Sequence, residues 1–322
     1  MSKPVLLATQ GLHPDVANAY AEQVEFQYTD ETDAVRLTAL ASAADGVLVR
    51  TPLPDGLFDA CSRLRVAVRH GVGLDMIPVF RATQAGVPVA NVPGANSRTV
   101  AEFVMMQTLN LVRQQDAVRR GLTNHQWKAA RSRADRAVEL HGMTMGIVGY
   151  GAIGREAARI AAHGFGMCVL ATGRTPPLDD PLAVGVTLQD LLSRSDVVVL
   201  ACPLTDQTRG MIGSAEFARM KPSAYLVNVA RGPVTEEAAL IDALLTGRIA
   251  GAALDVHHVT PLPTNHPLFD RPGVLITPHL AGITDTAMKR MGMASVSQAL
   301  DVLAGRKPEH LVNPEVWEQR RR

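Results

Sequence analysis

Residues 145–160 read MGIVGYGAIGREAARI. Met145–Val148 has the composition of a buried strand, and the Ala-rich stretch from Arg155 onward has the spacing of a helix. Between them Gly149, Gly151 and Gly154 form G-x-G-x-x-G. A glycine triplet alone can be no more than a tight turn, but a strand before it and a helix after it give the pattern a mechanism. The first glycine permits the turn and the second lets the backbone approach a pyrophosphate. The third lets helix and strand pack closely, and the first helical N–H groups, at Ala152 and Ile153, face the phosphates. The stretch therefore predicts a parallel α/β domain that binds a dinucleotide.

The rest of the chain follows the same rhythm. Near-continuous apolar runs predict strands at Val5–Thr9, Gly46–Val49, Leu64–Val68 and Val87–Val92. The series resumes at Cys168–Ala171, Asp196–Ala201, Ala224–Val229, Ala252–Val256 and Val274–Thr277. Helical patterns between them place the chain among doubly wound parallel sheets. Two stretches lack a strand partner: one helix from Ser97 to about Gly121, and another from about Thr284 to Leu303. They read as connectors around a central cofactor lobe, with the second lobe built from both chain ends.

The 322 residues suit two lobes, and 47% hydrophobic against 20% charged residues excludes wholesale disorder. Thirty-two basic and 31 acidic side chains leave a net charge of +1, with no basic excess to draw nucleic acid or an anionic membrane. Cys61, Cys168 and Cys202 are far apart and form no CxxC pair, which suits reduced thiols in the cytoplasm. No run approaches the roughly 20 apolar residues of a membrane span. The amino-terminal apolar run is too short for a signal segment. His70, His163 and His266 have no cysteine or carboxylate companions at ligand spacing, so no metal site is expected.

About 20 residues beyond such a glycine turn, a carboxylate at the end of the second strand would bond the adenosine ribose of NAD. Here Gly173 stands in that place, followed by Arg174 and Thr175. A guanidinium can fork onto a 2′-phosphate that a carboxylate would repel. NADP(H) is therefore the expected cofactor, with NAD(H) possible if Arg174 is only a solvated loop residue.

Downstream, Arg231 follows one apolar strand, Asp255 ends another and His279 follows a third. In a parallel sheet such positions converge on one crevice. At these residues the sequence resembles the D-isomer-specific 2-hydroxyacid dehydrogenases, in their glyoxylate/hydroxypyruvate reductase branch. The resemblance runs through RHGVGLDMI (69–77), NVPGANSRTVAE (91–102), the glycine turn, ACPLTDQTRGMI (201–212), MKPSAYLVNVARG (220–232), AGAALDV (250–256) and TPHLAG (277–282). It implies a Rossmann domain, 99–285, inserted into a flavodoxin-like substrate domain, 1–98 and 286–322. It also implies a homodimer, and closure of the lobes on ligand about the long helices.

The chemistry so implied is hydride transfer between the nicotinamide and a small 2-keto or (R)-2-hydroxy acid. Arg231 would hold carboxylate and carbonyl oxygen, and His279 would be the acid. The Val72 and Gly73 amides, with Arg50 near, would bind the carboxylate. Asp255 would hold the nicotinamide carboxamide, and Pro203, Thr208, Ala230 and Gly282 would line the cofactor. Each has a plainer alternative: an ion-pair arginine, a core histidine, a helix cap, a rim residue.

One departure stands out. The family places a glutamate before the proline of its D-V-x-x-x-E-P segment, bonded to the catalytic histidine; this chain has Thr260 before Pro261. A carboxylate would raise the imidazole pKa by about 1–2 units, and threonine brings no charge. Three outcomes remain open: His279 works without that help, His257 or His258 substitutes, or the chain is a dinucleotide sensor, like corepressors of this fold, with little turnover. The first is favoured, because Arg231 and His279 are both present.

Overall fold

The structure, a computed structural model, describes residues 3–173, 180–269 and 271–322. The chain divides into two compact units, Met1–Asn96 with Ile283–Arg322, and Ser97–Gly282. The divisions fall just ahead of the two long helices, a few residues earlier than the sequence suggested.

The first unit holds β1 (Val5–Ala8), β2 (Glu25–Tyr28), β3 (Gly46–Val49), β4 (Val66–Arg69) and β5 (Val89–Ala90). They pair parallel in the order β2-β1-β3-β4-β5, the flavodoxin-like arrangement. Alternate side chains feed two cores. Leu7, Val47, Val49 and Ala67 pack on one face. Leu6, Ala8, Leu48, Val66 and Val68 pack on the other, with Val296, Ala299 and Val302 of the helix Asp285–Leu303. Each such valine or leucine contributes roughly 1.5–3 kcal/mol by leaving water.

The second unit holds β6 (Thr144–Val148), β7 (Cys168–Thr172), β8 (Val184–Gly185), β9 (Val197–Leu200), β10 (Tyr225–Asn228), β11 (Gly251–Leu254) and β12 (Val274–Ile276). Their order is β12-β11-β10-β9-β6-β7-β8, again all parallel. The connection reverses direction between β6 and β9, the switch point of a Rossmann sheet. Val197 and Val199 pack with the helices Ser97–Val112 and Ala152–Phe165, whereas Val198 and Leu200 pack with Leu191, Phe217 and Leu240 on the opposite face.

Three expectations needed correction. β2 was not foreseen, because its EFQY sequence is a half-exposed edge rather than an apolar run. β8 is a two-residue exposed edge pair with no sequence signal. The first long helix is two, Ser97–Val112 and Gln115–Thr123, broken where Gln114 adopts the left-handed φ of 52°. The polar run Arg113–Gln115 offers no apolar stripe to carry one helix through.

His70, directly after β4, is only 3% exposed, and its Nε2 has no hydrogen-bond partner among the described residues. Burial, then the Arg50 and Arg69 guanidiniums, hold its pKa down to about 4. The unfolded chain takes up this proton near pH 6.5, so between pH 6.5 and 4 it binds more protons than the fold, and stability falls on acidification. Going from pH 7 to 4 should cost about 3 kcal/mol from this residue. Urea unfolding of wild type and His70→Gln at both ends of the window checks it; equal pH slopes would show that His70 is not the source.

Candidate active site

β6 ends at the glycine turn. Gly149 has φ +98°, and a Cβ there would lie 2.5 Å from the Cys202 nitrogen just past β9. Its own N–H donates to the Thr172 carbonyl at 2.8 Å. A Cβ at Gly154 would stand 2.5 Å from the Gly149 carbonyl oxygen, so the helix can approach the strand only without a side chain. Gly151 differs: a Cβ there would meet nothing within 4 Å, and the residue is the exposed cap of the helix Ala152–Phe165. Open space above a helix start, at the switch point, with the Ala152 and Ile153 amides in the turn a helix cannot itself satisfy, fits a bound pyrophosphate.

Gly173 is exposed at the end of β7, 3.7 Å from the Tyr150 nitrogen measured from where its Cβ would be. Arg174 and Thr175 lie outside the described residues. Sequence reasoning passed over Tyr150. Its buried ring lies 5.4 Å beneath the Arg155 guanidinium, and its hydroxyl donates to Asp180 Oδ2 at 2.9 Å. Burial and then the Asp180 carboxylate push that hydroxyl's pKa above the ordinary tyrosine value. On the far side of β9, Thr208 Oγ1 donates to the Pro203 carbonyl at 2.7 Å, which closes that loop on itself.

Arg231, Asp255 and His279 follow β10, β11 and β12, three neighbours in the sheet. Asn228, 1% exposed at the end of β10, shapes the first loop by accepting from the Ala230 N–H and donating to the Arg231 carbonyl. The Arg231 guanidinium donates to the Ala230 carbonyl at 2.7 Å. Asn228 was not singled out in the sequence; a polar residue closing an otherwise apolar strand was its signal.

Asp255 is bonded within its own unit. Its carboxylate is 1% exposed and turned into the protein, where Oδ1 accepts from Thr277 Oγ1 (2.7 Å) and the Leu280 N–H (2.9 Å), and Oδ2 from the Ala281 N–H (2.9 Å). What it holds is the loop that carries His279 and runs on to Gly282. The His279 N–H donates to the Asp255 carbonyl (2.9 Å) and the Thr277 carbonyl (3.1 Å). His279 itself is exposed and left-handed, φ 55°, a conformation costing roughly 1–2 kcal/mol outside glycine. Three hydrogen bonds to a buried carboxylate are enough to impose it.

Thr260 is exposed, and among the described residues it makes no hydrogen bond to His279. The two neighbouring histidines differ in their surroundings. His257 Nε2 bonds the Thr277 carbonyl at 2.9 Å, and His258 Nε2 is buried without a partner among the described residues.

In the first unit, Arg69 donates to the carbonyls of Val49, His70 and Gly73, Asn91 Nδ2 donates to the Val72 carbonyl, and the Val92 N–H to the Gly71 carbonyl. Four successive carbonyls are thus hydrogen-bonded, and the Val72 and Gly73 amides have no partner among the described residues, which leaves two adjacent donors that suit an anion. Arg50, after β3, donates to the Gly11 carbonyl and touches Met288 Sδ at 4.0 Å; burial lowers its pKa. Neither Arg69 nor Asn91 stood out in the sequence as organiser of this loop.

The glycine turn yields a separable test. Gly151→Val should leave the melting temperature unchanged, because the added side chain meets open space. Affinity for a reduced nicotinamide dinucleotide, read by fluorescence titration, should fall at least about tenfold, the equivalent of 1.4 kcal/mol. Unchanged affinity would mean that nothing approaches this turn.

Comparison with known proteins agrees with the geometry. Residues 105–281 match the family described as D-isomer specific 2-hydroxyacid dehydrogenase, NAD binding domain. The chain is 36% identical over 317 residues to D-3-phosphoglycerate dehydrogenase of Mycobacterium bovis, covering 97% of this chain but only 59% of that protein. It is 33% identical over 328 residues to glyoxylate reductase of Aeropyrum pernix, covering 98% of each. The crystal structure of a protein from Thermus thermophilus superposes with a TM-score of 0.87 at 31% identity, covering 96% of this chain and 99% of that one. A Rossmann sheet with its glycine turn at the switch point, and an arginine and a histidine on neighbouring strand ends, are what those matches lead one to find: the chain belongs to the D-isomer-specific 2-hydroxyacid dehydrogenase family.

Proposed function

We propose that this protein reduces a small 2-keto acid to the (R)-2-hydroxy acid, in the manner of a glyoxylate or hydroxypyruvate reductase, with NADP(H) preferred over NAD(H). The observation that carries the reading is the placement of Arg231 and His279 on strand ends of the sheet whose switch point holds the glycine turn. A nicotinamide cofactor, when bound, would supply the hydride for the keto carbon. The Arg231 guanidinium holds the oxygens of the substrate and draws electron density from the carbonyl. His279 delivers the proton to the carbonyl oxygen as it becomes a hydroxyl. The substrate carboxylate is assigned to the Val72 and Gly73 amides and to Arg50. Support for small substrates comes from a relative that covers this chain end to end and is named a glyoxylate reductase.

Arg174 in the place after Gly173 supports the NADP(H) preference. Free Cys61, Cys168 and Cys202 support a cytoplasmic setting. Trp127, 71% exposed beside the exposed Leu122, supports a homodimer through the cofactor unit. The rival reading, a dinucleotide sensor without useful turnover, is favoured by one observation, the exposed Thr260 where the family has glutamate.

NADPH oxidation with glyoxylate, hydroxypyruvate and longer 2-keto acids, repeated with NADH, separates the readings. Turnover should be found, and His279→Gln should reduce it about 10²–10⁴-fold while NADPH still binds. Arg174→Ala should lower the NADPH-to-NADH ratio of kcat/KM about tenfold or more, as expected for one lost charge-assisted bond. Tight cofactor binding with no turnover on any acid would establish the sensor instead.

Thr260→Glu offers a second check. If position 260 faces the catalytic histidine during turnover, the new carboxylate should move the limb of the pH–rate profile set by His279 upward by about 1–2 units. An unmoved profile would show that Thr260 does not occupy the glutamate's place.

A further inference from the structure

His257 lies where the loops after β10 and β12 converge. Its main chain presses on Gly232, the residue after Arg231: a Cβ at 232 would overlap the His257 carbonyl group and stand 2.5 Å from the His258 nitrogen. Its side chain reaches the other way, with Nε2 at 2.9 Å from the Thr277 carbonyl oxygen. That same oxygen accepts the His279 N–H at 3.1 Å. One residue therefore abuts the loop of the proposed guanidinium and ties the loop of the proposed acid.

We propose that His257 is a positioning residue for hydride transfer, a strut that fixes the His279 loop through the Thr277 carbonyl and spaces it from the Arg231 loop. The inference rests on the catalytic reading above. It assigns His257 no contact with substrate and no proton transfer. A carbonyl can only accept, so the ring must carry its proton on Nε2, and any replacement must present a donor at that reach. Asp255 grips the same loop from its other side through Thr277 Oγ1, Leu280 and Ala281. The two attachments act on different groups: the carboxylate holds the Thr277 hydroxyl and the Leu280 and Ala281 amides, and the imidazole holds the Thr277 carbonyl.

Three variants separate reach from bulk. His257→Phe keeps a ring and loses the donor; His257→Gln places an amide N–H near the position of Nε2; His257→Asn carries the same amide but stops at the position of Nδ1. Keto acid reduction should lose about tenfold in kcat in the Phe and Asn variants, as for one lost hydrogen bond, with NADPH affinity and melting temperature nearly unchanged. The Gln variant should recover most of the rate. Equal rates in Asn and Gln, parent kcat in Phe, or loss of cofactor affinity in step with kcat would overturn the proposal.

Hydrogen exchange followed by NMR reads the strut without turnover. The His279 amide should exchange at least about tenfold faster in His257→Phe than in wild type or His257→Gln, while the Gly149 amide should not change. If wild type reduces no acid yet that exchange difference is present, the catalytic reading fails and the strut stands. If His279 exchange is the same in all of them, the strut fails whatever the enzyme does.

Discussion

A polar side chain with 1% of its surface exposed is costly to bury unless the chain supplies its hydrogen bonds, and Asp255 receives three of them, from Thr277, Leu280 and Ala281. All three come from the segment that carries His279. The requirement to satisfy one buried polar group thereby becomes a requirement on the path of that segment. The left-handed backbone at His279 follows from it, as does the pairing of its N–H with two carbonyls. These bonds act on the main chain beneath the imidazole.

The other groups that matter are arranged on the same principle. Asn228 is a buried amide whose two ends close the Arg231 turn. Arg69 donates to three carbonyls around the Val72–Gly73 loop. In each case a polar side chain shapes the backbone of a loop that carries a candidate site residue.

This explains which parts were legible in the sequence. Strands clad on both faces announce themselves as apolar runs, and nine of the ten predicted segments coincide with an observed strand over most of their length; Val87–Val92 shrinks to Val89–Ala90. The glycine turn was legible because each glycine answers a separate steric demand. β2 and β8 were not, because an edge strand needs no such run. The inward role of Asp255, the Tyr150–Asp180 bond and the Arg69 ties were hidden for a different reason. They depend on which carbonyl or amide happens to lie within about 3 Å of a side chain, and spacing along the chain does not encode that.

The double cladding of the sheets has one more consequence. In a strand with one wet face, a slip of one residue against its neighbour would expose its apolar set and be rejected at once. β3, β6, β9 and β11 have no wet face: a slip would merely exchange one set of aliphatic groups for another. Hydropathy cannot choose their alignment, and steric keys take over. A Cβ at Gly46 would fall 2.7 Å from both Leu6 Cδ2 and Val66 Cγ1, and one at Gly146 would fall 2.5 Å from Leu191 Cδ2. Only glycine passes at those two places, so each sheet has a notch that fits in a single alignment, and the crevice at its carboxyl edge inherits its accuracy from two missing methyl groups.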